Sequence, residues 1–277
     1  MGEFKIKGFL TDEQFTTVLL HINKLRGIDL CQYRRNFVYR HLNFRLQETG
    51  LNNHLDYINF IKENPKEIDN FLDALSINVT HFFRDPEVFG IFKEKVLKEL
   101  LERKKNTERG LIRVWSAGCA SGQEAYSLAI MFNEALGDSA ECVLRIWATD
   151  VDSDALERAK KAEYESKDLK EIDKKLLEKY FEPVYNNKYG LNPEIKRMVR
   201  FDKHNLITDE GLKFMDVIFC RNVMIYFNRQ QQQVLLNKFY NSLNAKGYLV
   251  TAKVESIWDK DCFVPIDPLQ KIYQKVH

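Results

Sequence analysis

From about residue 111 onward the chain alternates short β-branched or aromatic runs with amphipathic helical patterns, and this rhythm restricts the fold more than any other feature. LIRVWSA (111–117), CVLRIWATD (142–150), MDVIFC (215–220) and GYLVTAKV (247–254) read as strands, with helices at 123–136, 153–161 and 229–243. Strands separated by helices do not pair as hairpins, so a mostly parallel sheet covered by helices on both faces follows. In such a sheet ligands bind at the carboxyl ends of the strands, which makes the residues just after each run the candidates for function. The rhythm breaks between about 164 and 204, where FEPVY, Asn186-Asn187-Lys188-Tyr189-Gly190 and RMVRF predict a small antiparallel β-subdomain inserted into the α/β domain.

The preceding 80 residues are helical in pattern. Phe15, Val18, Leu19 and Ile22 fall at i, i+3, i+4 and i+7 behind Thr11-Asp12-Glu13, and further helices are expected near 30–49, 52–63 and 65–77, punctuated by Gly50 and Pro65. The expected division is a helical domain over 1–80, a linker and connecting helix over 81–110, and an α/β domain over 111–277. At 277 residues and 44% hydrophobic, the chain can bury a core in each of two domains.

The 42 Lys and Arg against 40 Asp and Glu leave a formal charge of +2, too small to draw the whole chain to nucleic acid or an anionic membrane. No apolar run approaches the roughly 18 residues of a membrane helix, and MGEFKIKGFL has no signal-peptide core, so a cytoplasmic location is expected. Five cysteines, at 31, 119, 142, 220 and 262, are scattered without a C-x-x-C pair; free thiols and no metal site are expected.

Gly118-Cys119-Ala120-Ser121-Gly122 follows the first strand and opens a helix, where backbone can approach a ligand closely and helix N–H groups are available. The loop is neither G-x-G-x-x-G nor a P-loop. Asp150 ends the second strand, where a carboxylate can accept from two ribose hydroxyls; capping of the next helix is the alternative, although Asp152 and Ser153 stand ready for that. Arg221-Asn222 ends the strand over 215–220, with Tyr226 shortly after, and no Asn/Asp-Pro-Pro-aromatic turn of the kind amine methyltransferases use to hold a nitrogen occurs there. Asn78-Val79-Thr80-His81-Phe82-Phe83-Arg84 lies at the domain junction. Between 21 and 47, Lys24, Arg26, Arg34, Arg35, Arg40 and Arg45 face a single acid, Asp29, and Arg34, His41 and Arg45 share one helical face. That face is either simply solvated or a docking surface for an acidic helix or RNA.

Taken together, NVTHFFRD (78–85), VWSAGCASGQEAYSLA (114–129), ATDVD (148–152), HNLI (204–207) and FCRNVMIYF (219–227) resemble the CheR family of chemotaxis receptor methyltransferases. The resemblance implies a Rossmann-like class I methyltransferase domain behind an all-helical domain, with S-adenosylmethionine as cofactor and S-adenosylhomocysteine as product. It implies cofactor contacts at Asn78, Thr80, Arg84, Gly118, Glu124, Asp150, Asn205, Leu206, Arg221 and Asn222, with Tyr226 and Arg84 bordering the transferred methyl. Arg34, Arg35, His41 and Arg45 would meet the receptor's cytoplasmic methylation helices. The implied activity is protein-glutamate O-methylation; a monomer with no metal, no nucleic-acid partner and no membrane insertion is expected alongside it. Ala125 stands where the family often has Pro, Lys253 where it has His in a Gly-His-Ser-Glu type segment that keeps only Glu255, and the insertion's hairpin has one Gly, which argues against peptide tethering. The competing expectations are an RNA or small-molecule methyltransferase and a cofactor-binding scaffold without turnover.

Overall fold

The computed structural model describes residues 10–27, 29–51, 53–75, 80–105, 110–137, 142–257 and 261–276. Asn78 lies outside them. The chain divides into two compact units, residues 1–77 with 226–232 and residues 78–225 with 233–277.

The helical unit holds α1 (Asp12–Arg26), α2 (Arg35–Glu48), α3 (His54–Glu63) and α4 (Pro65–Leu75). Thr11 and Gln14 start α1 with a reciprocal capping box, each side chain accepting from the other's backbone N–H. Phe15, Val18, Leu19 and Ile22 are buried as their spacing predicts, against Phe37, Leu42, Tyr57, Ile61 and Phe71. The 226–232 segment joins this unit: Arg34 N–H donates to the Tyr226 carbonyl at 2.8 Å, and Tyr33 bridges Phe227.

The larger unit contains α5 (Pro86–Phe92), α6 (Lys98–Lys105), β1 (Leu111–Ala117), α7 (Gln123–Leu136), β2 (Val143–Asp150), α8 (Ser153–Lys161), β3 (Glu163–Glu165), α9 (Lys174–Tyr180), β4 (Phe181–Val184), β5 (Lys188–Leu191), α10 (Pro193–Arg197) and β6 (Val199–Lys203). These are followed by β7 (Met215–Cys220), α11 (Arg229–Ser242), whose first turn falls within the 226–232 segment, β8 (Leu243–Thr251), β9 (Phe263–Asp267) and β10 (Ile272–Lys275). The main sheet has the order β6-β2-β1-β7-β8-β10-β9. Its first five strands are parallel, and β10 runs antiparallel to both β8 and β9. Every residue of β7 is buried, as a central strand covered on both faces requires. From β1 the chain moves outward to β2 and β6 and then returns to β7 on the other side of β1, so the carboxyl ends of β1 and β7 form the topological switch point.

Three expectations change. RMVRF is not in the insertion: β6 pairs in parallel with β2 at the main sheet's edge, and the small sheet is β3-β5-β4. Alternation of exposed and buried residues marks a strand with one covered face but not the sheet it joins. Over 81–105 the expected connecting helix is present as α5 and α6, but this part is no linker, because Phe82, Val88, Phe89, Phe92, Val96, Leu97 and Leu100 are buried in the core with β1 and α7. A π-helical turn over Lys93–Leu97 joins α5 to α6 there. The antiparallel β9 and β10 carry little alternation and went unread.

Candidate active site

Gly118 and Gly122 shape the turn after β1. Both have positive φ, 83° and 90°, and both are crowded: a Cβ on Gly118 would overlap Val223, and one on Gly122 would lie 2.9 Å from the Ala159 Cβ. Gly118 and Cys119 N–H groups donate to the Thr149 carbonyl at 2.8 and 3.0 Å, which ties the loop to the end of β2. The Asp150 carboxylate accepts from Ala120 N–H at 2.8 Å and Asp152 N–H at 3.0 Å. The Val151 N–H also bonds this carboxylate, which has about four acceptor positions, so about one remains for a hydroxyl donor. Asp152, not Asp150, caps α8, accepting from Asp154 and Ala155 N–H groups. Burial pushes the Asp150 carboxyl above its ordinary value, opposed by the N–H groups of Asp152 and Ala120.

Glu124, in the first turn of α7, accepts from the Ser116 hydroxyl at 2.8 Å. Its other oxygen stands 3.7 Å from Arg221 Nη1, too far for a hydrogen bond. Arg221 Nη2 grips Asp85 instead, while Arg221 Nε, on a side chain only 2% exposed, is buried with no hydrogen-bond partner among the described residues. Burial pushes the Glu124 carboxyl up, opposed by Arg221, the Ser116 hydrogen bond and Arg84. Arg84 therefore acts on the same carboxylate as Arg221. The segment that carries Arg84 is fixed by Phe83 N–H donating to Ser127 Oγ at 2.8 Å, and Asp85 adopts a positive φ of 55°. Thr80, at the start of the described part of this segment, is half-buried.

The loop after β6 carries Asn205 and Leu206. Asn205 Oδ1 accepts from Ile207 N–H at 2.9 Å, and its own N–H donates to Asp209 at 2.8 Å. Lys238 of α11 donates to the carbonyls of Leu206 and Asp209 at 2.6 Å each and of Ile207 at 3.2 Å. Lys238 has no signal in its sequence surroundings, and Asp85, although it ends the NVTHFFRD segment, carries nothing that marks Arg221 as its partner. The loop after β7 starts with Arg221 and Asn222, the latter in the left-handed region at φ 60°.

Residues 78–268 match the CheR methyltransferase SAM binding domain, and residues 13–76 match the CheR methyltransferase all-alpha domain. The chain belongs to the CheR methyltransferase family. A chemotaxis protein methyltransferase of Borreliella burgdorferi is 32% identical over 262 residues, covering 92% of each chain. Its counterpart in Listeria innocua is 32% identical over 231 residues, 83% of this chain and 85% of that one. The Escherichia coli counterpart is 32% identical over 254 residues, 89% of this chain and 85% of that one.

The protein is thus an S-adenosylmethionine-dependent methyltransferase, and its residues fit that cofactor: a carboxylate with a spare acceptor position at the end of β2 suits ribose, and a buried guanidinium with an open Nε beside a buried carboxylate suits an amino-acid head group. Within the CheR all-alpha domain, the four basic-face residues differ sharply. Arg45 makes a bidentate pair with Glu67, Nε to Oε1 at 2.9 Å and Nη2 to Oε2 at 2.7 Å. Arg35 pairs with Asp12 at 2.7 Å over the Phe15 ring. Arg34 is exposed, its Nε 3.3 Å from the Phe227 carbonyl. His41 is half-buried with its ring centroid 4.7 Å from that of Phe37. Arg40, one of the basic residues of the 21–47 window, and Phe44, one turn along α2, are exposed. Tyr226 packs on Phe37 with ring centroids 4.8 Å apart. Among the described residues no helix is long and apolar enough to cross a membrane, and no cluster of His, Cys, Asp and Glu could hold a metal.

Proposed function

We propose that this protein methylates glutamate carboxylates on the cytoplasmic helices of chemotaxis receptors, acting in the cytoplasm as a monomer. The observation that carries the reading is the exit of β7: a buried Arg221 with an open Nε, then Asn222, then Val-Met-Ile-Tyr in place of a nitrogen-holding turn. Relatives named chemotaxis protein methyltransferases over most of the chain support the same acceptor.

The bound cofactor supplies an electrophilic methyl group on a sulfonium. A glutamate carboxylate is already ionised at neutral pH, its ordinary pKa being about 4.3, so the residues have no proton to remove. Their work is to bind, to orient and to exclude water, and in-line positioning alone can contribute on the order of 7 to 11 kcal/mol. Arg221 and Arg84 face the cofactor's carboxylate, Glu124 its ammonium group, and Asp150 its ribose. Asn78, Thr80, Asn205, Leu206 and Asn222 complete the contacts. Arg84 does not grip the acceptor tightly, because that would stabilise a charge which the transition state is losing. Tyr226, a neutral hydrogen-bonding group, orients the acceptor carboxylate. Arg34, Arg35 and His41 engage the receptor. The β-subdomain does not tether a peptide by strand addition at β4, since Pro183 in that edge strand has no N–H to offer.

The test is transfer of labelled methyl from S-adenosylmethionine to a receptor cytoplasmic domain, followed by alkali. Methyl esters release volatile methanol and N-methyl groups do not. Volatile label is expected; label that stays fixed, or no transfer to any receptor, would defeat the glutamate assignment.

A further inference from the structure

Glu255 is a buried carboxylate, 5% exposed, that the mechanism above does not use. It lies beyond the end of β8, yet its oxygens reach the loop after β7. Oε2 accepts from Asn222 N–H at 3.2 Å and Ala252 N–H at 2.8 Å, and Oε1 accepts from Ile225 N–H at 3.1 Å. Burial pushes the Glu255 carboxyl above its ordinary value, opposed by the N–H groups of Ala252, Ile225, Asn222 and Met224. Among the described residues no Lys or Arg pairs with Glu255; its compensation is backbone N–H groups converging on one anion, which is the geometry of an anion-binding nest turned inward. Its own backbone is fixed by Glu255 N–H donating to the Ala252 carbonyl at 2.8 Å and by Thr251 Oγ1 donating to the Glu255 carbonyl at 3.1 Å.

The loop needs such an anchor. Asn222 holds a left-handed backbone at φ 60°, and N–H groups turned inward from a loop have no strand to pair with. Without an acceptor there, Asn222 could relax to ordinary backbone geometry and its side chain would move with it.

We propose that Glu255 is the positioning residue of the cofactor loop, an internal carboxylate that fixes the turn over residues 222–225 from which Asn222 contacts the cofactor. This rests on the reading of Asn222 as a cofactor contact. It also accounts for the survival of Glu255 alone in the 252–255 segment, since its partners are backbone groups indifferent to Lys253 and Val254.

The experiment compares wild type, Glu255→Gln, Asn222→Ala and the double variant in the full-length protein, reading S-adenosylhomocysteine affinity by calorimetry and both KM values in methyl transfer. Glu255→Gln keeps the size but turns an amide toward N–H donors. We expect its Kd and cofactor KM to rise about tenfold with the receptor KM unchanged, and the double variant to be no weaker than the weaker single variant. A role limited to stability would lower the active fraction and move kcat with neither KM. Cofactor affinity within twofold of wild type, or single effects that multiply, would overturn the proposal. Failure of Asn222→Ala to weaken binding would instead overturn the cofactor reading on which it rests. If Glu255→Gln does not fold, hydrogen exchange on the wild type decides: the Asn222 and Ile225 amides should be protected, and rapid exchange at both would refute the clamp.

Discussion

Each unit buries an arginine against a glutamate, and the two pairs are built to opposite ends. In the helical unit Glu67 is fully engaged, by Arg45 through two hydrogen bonds, by the Tyr57 hydroxyl at 3.1 Å and by Asn70 at 3.3 Å. Burial pushes its carboxyl up, but the hydrogen bonds of Arg45 and Asn70 outweigh that and hold it below the ordinary value. In the larger unit Arg221 and Glu124 stand 3.7 Å apart without a hydrogen bond, an Nε is left open, and burial wins so that the Glu124 carboxyl is pushed up. A closed pair stabilises one packing of helices, whereas an open pair keeps hydrogen-bonding capacity for a ligand.

The largest effect should come from breaking the closed pair. Arg45→Ala leaves Glu67 buried and uncompensated, which should cost about 3 to 5 kcal/mol of stability. Denaturant unfolding at neutral pH reads it directly, and cofactor affinity of the folded fraction should be unchanged. Because Glu67 is held below its unfolded value, its contribution is present above the ordinary carboxylate range and is lost as pH falls through the folded value. The variant should therefore lose less stability on acidification than the parent. Replacing both partners, Arg45→Met with Glu67→Leu, should recover most of the loss. A stable double variant whose receptor KM rises steeply would show that the pair serves docking after all.

Breaking the open pair should act on binding instead. Arg221→Gln removes a charge-assisted contact worth about 1.5 to 3 kcal/mol, so S-adenosylhomocysteine affinity by calorimetry should fall roughly 10- to 150-fold. Glu124→Gln sharpens the contrast. A carboxyl held above its unfolded value costs stability as pH rises through the folded value, and Gln imitates the protonated form. The ligand-free thermal midpoint at pH 7 should therefore stay level or rise while cofactor affinity falls. A lower midpoint with normal affinity would make Glu124 a structural residue like Glu67.

The sequence did not distinguish these two pairs. The parallel sheet, the Gly turn and Asp150 were legible because they follow from local signals: strand runs, small residues in tight turns and a carboxylate at a strand end. Arg45 fell on the basic face by helical spacing, but its partner Glu67 is on α4, and periodicity carries no information about which helix lies opposite. The partners of Lys238 and Asp85 were hidden for the same reason, each lying on a loop distant in sequence. RMVRF was assigned to the wrong sheet because alternation fixes a strand's faces and not its neighbours. Tyr226 is legible as a residue shortly after the strand over 215–220, but nothing in the sequence tells that its ring packs on Phe37 of α2 within the helical unit.

Tyr226→Phe keeps that ring packing and removes only the hydroxyl. One hydrogen bond made in the transition state is worth about 1 to 1.5 kcal/mol, so kcat should fall roughly tenfold with cofactor Kd nearly unchanged. Equal kcat in a methyl-transfer assay would reduce Tyr226 to a packing residue.

The smallest effects belong to the exposed basic residues, where solvent screens the charge. Arg40 is exposed on the unit that holds the closed pair, so it can meet an acidic receptor helix without first breaking a buried contact, whereas Arg34 Nε already donates to the Phe227 carbonyl. Rim charges act mainly on association rate and its salt dependence, and a screened pair contributes about 0.2 to 1 kcal/mol. Arg40→Ala should therefore raise the receptor KM no more than about fivefold at low ionic strength, with kcat and stability unchanged, and the difference should vanish as salt is raised. Arg45→Ala should show the reverse pattern, losing stability at every salt concentration. If Arg40→Ala lowers stability and Arg45→Ala shifts only the salt-dependent KM, closed and open hydrogen bonding would no longer separate structural charges from functional ones in this molecule.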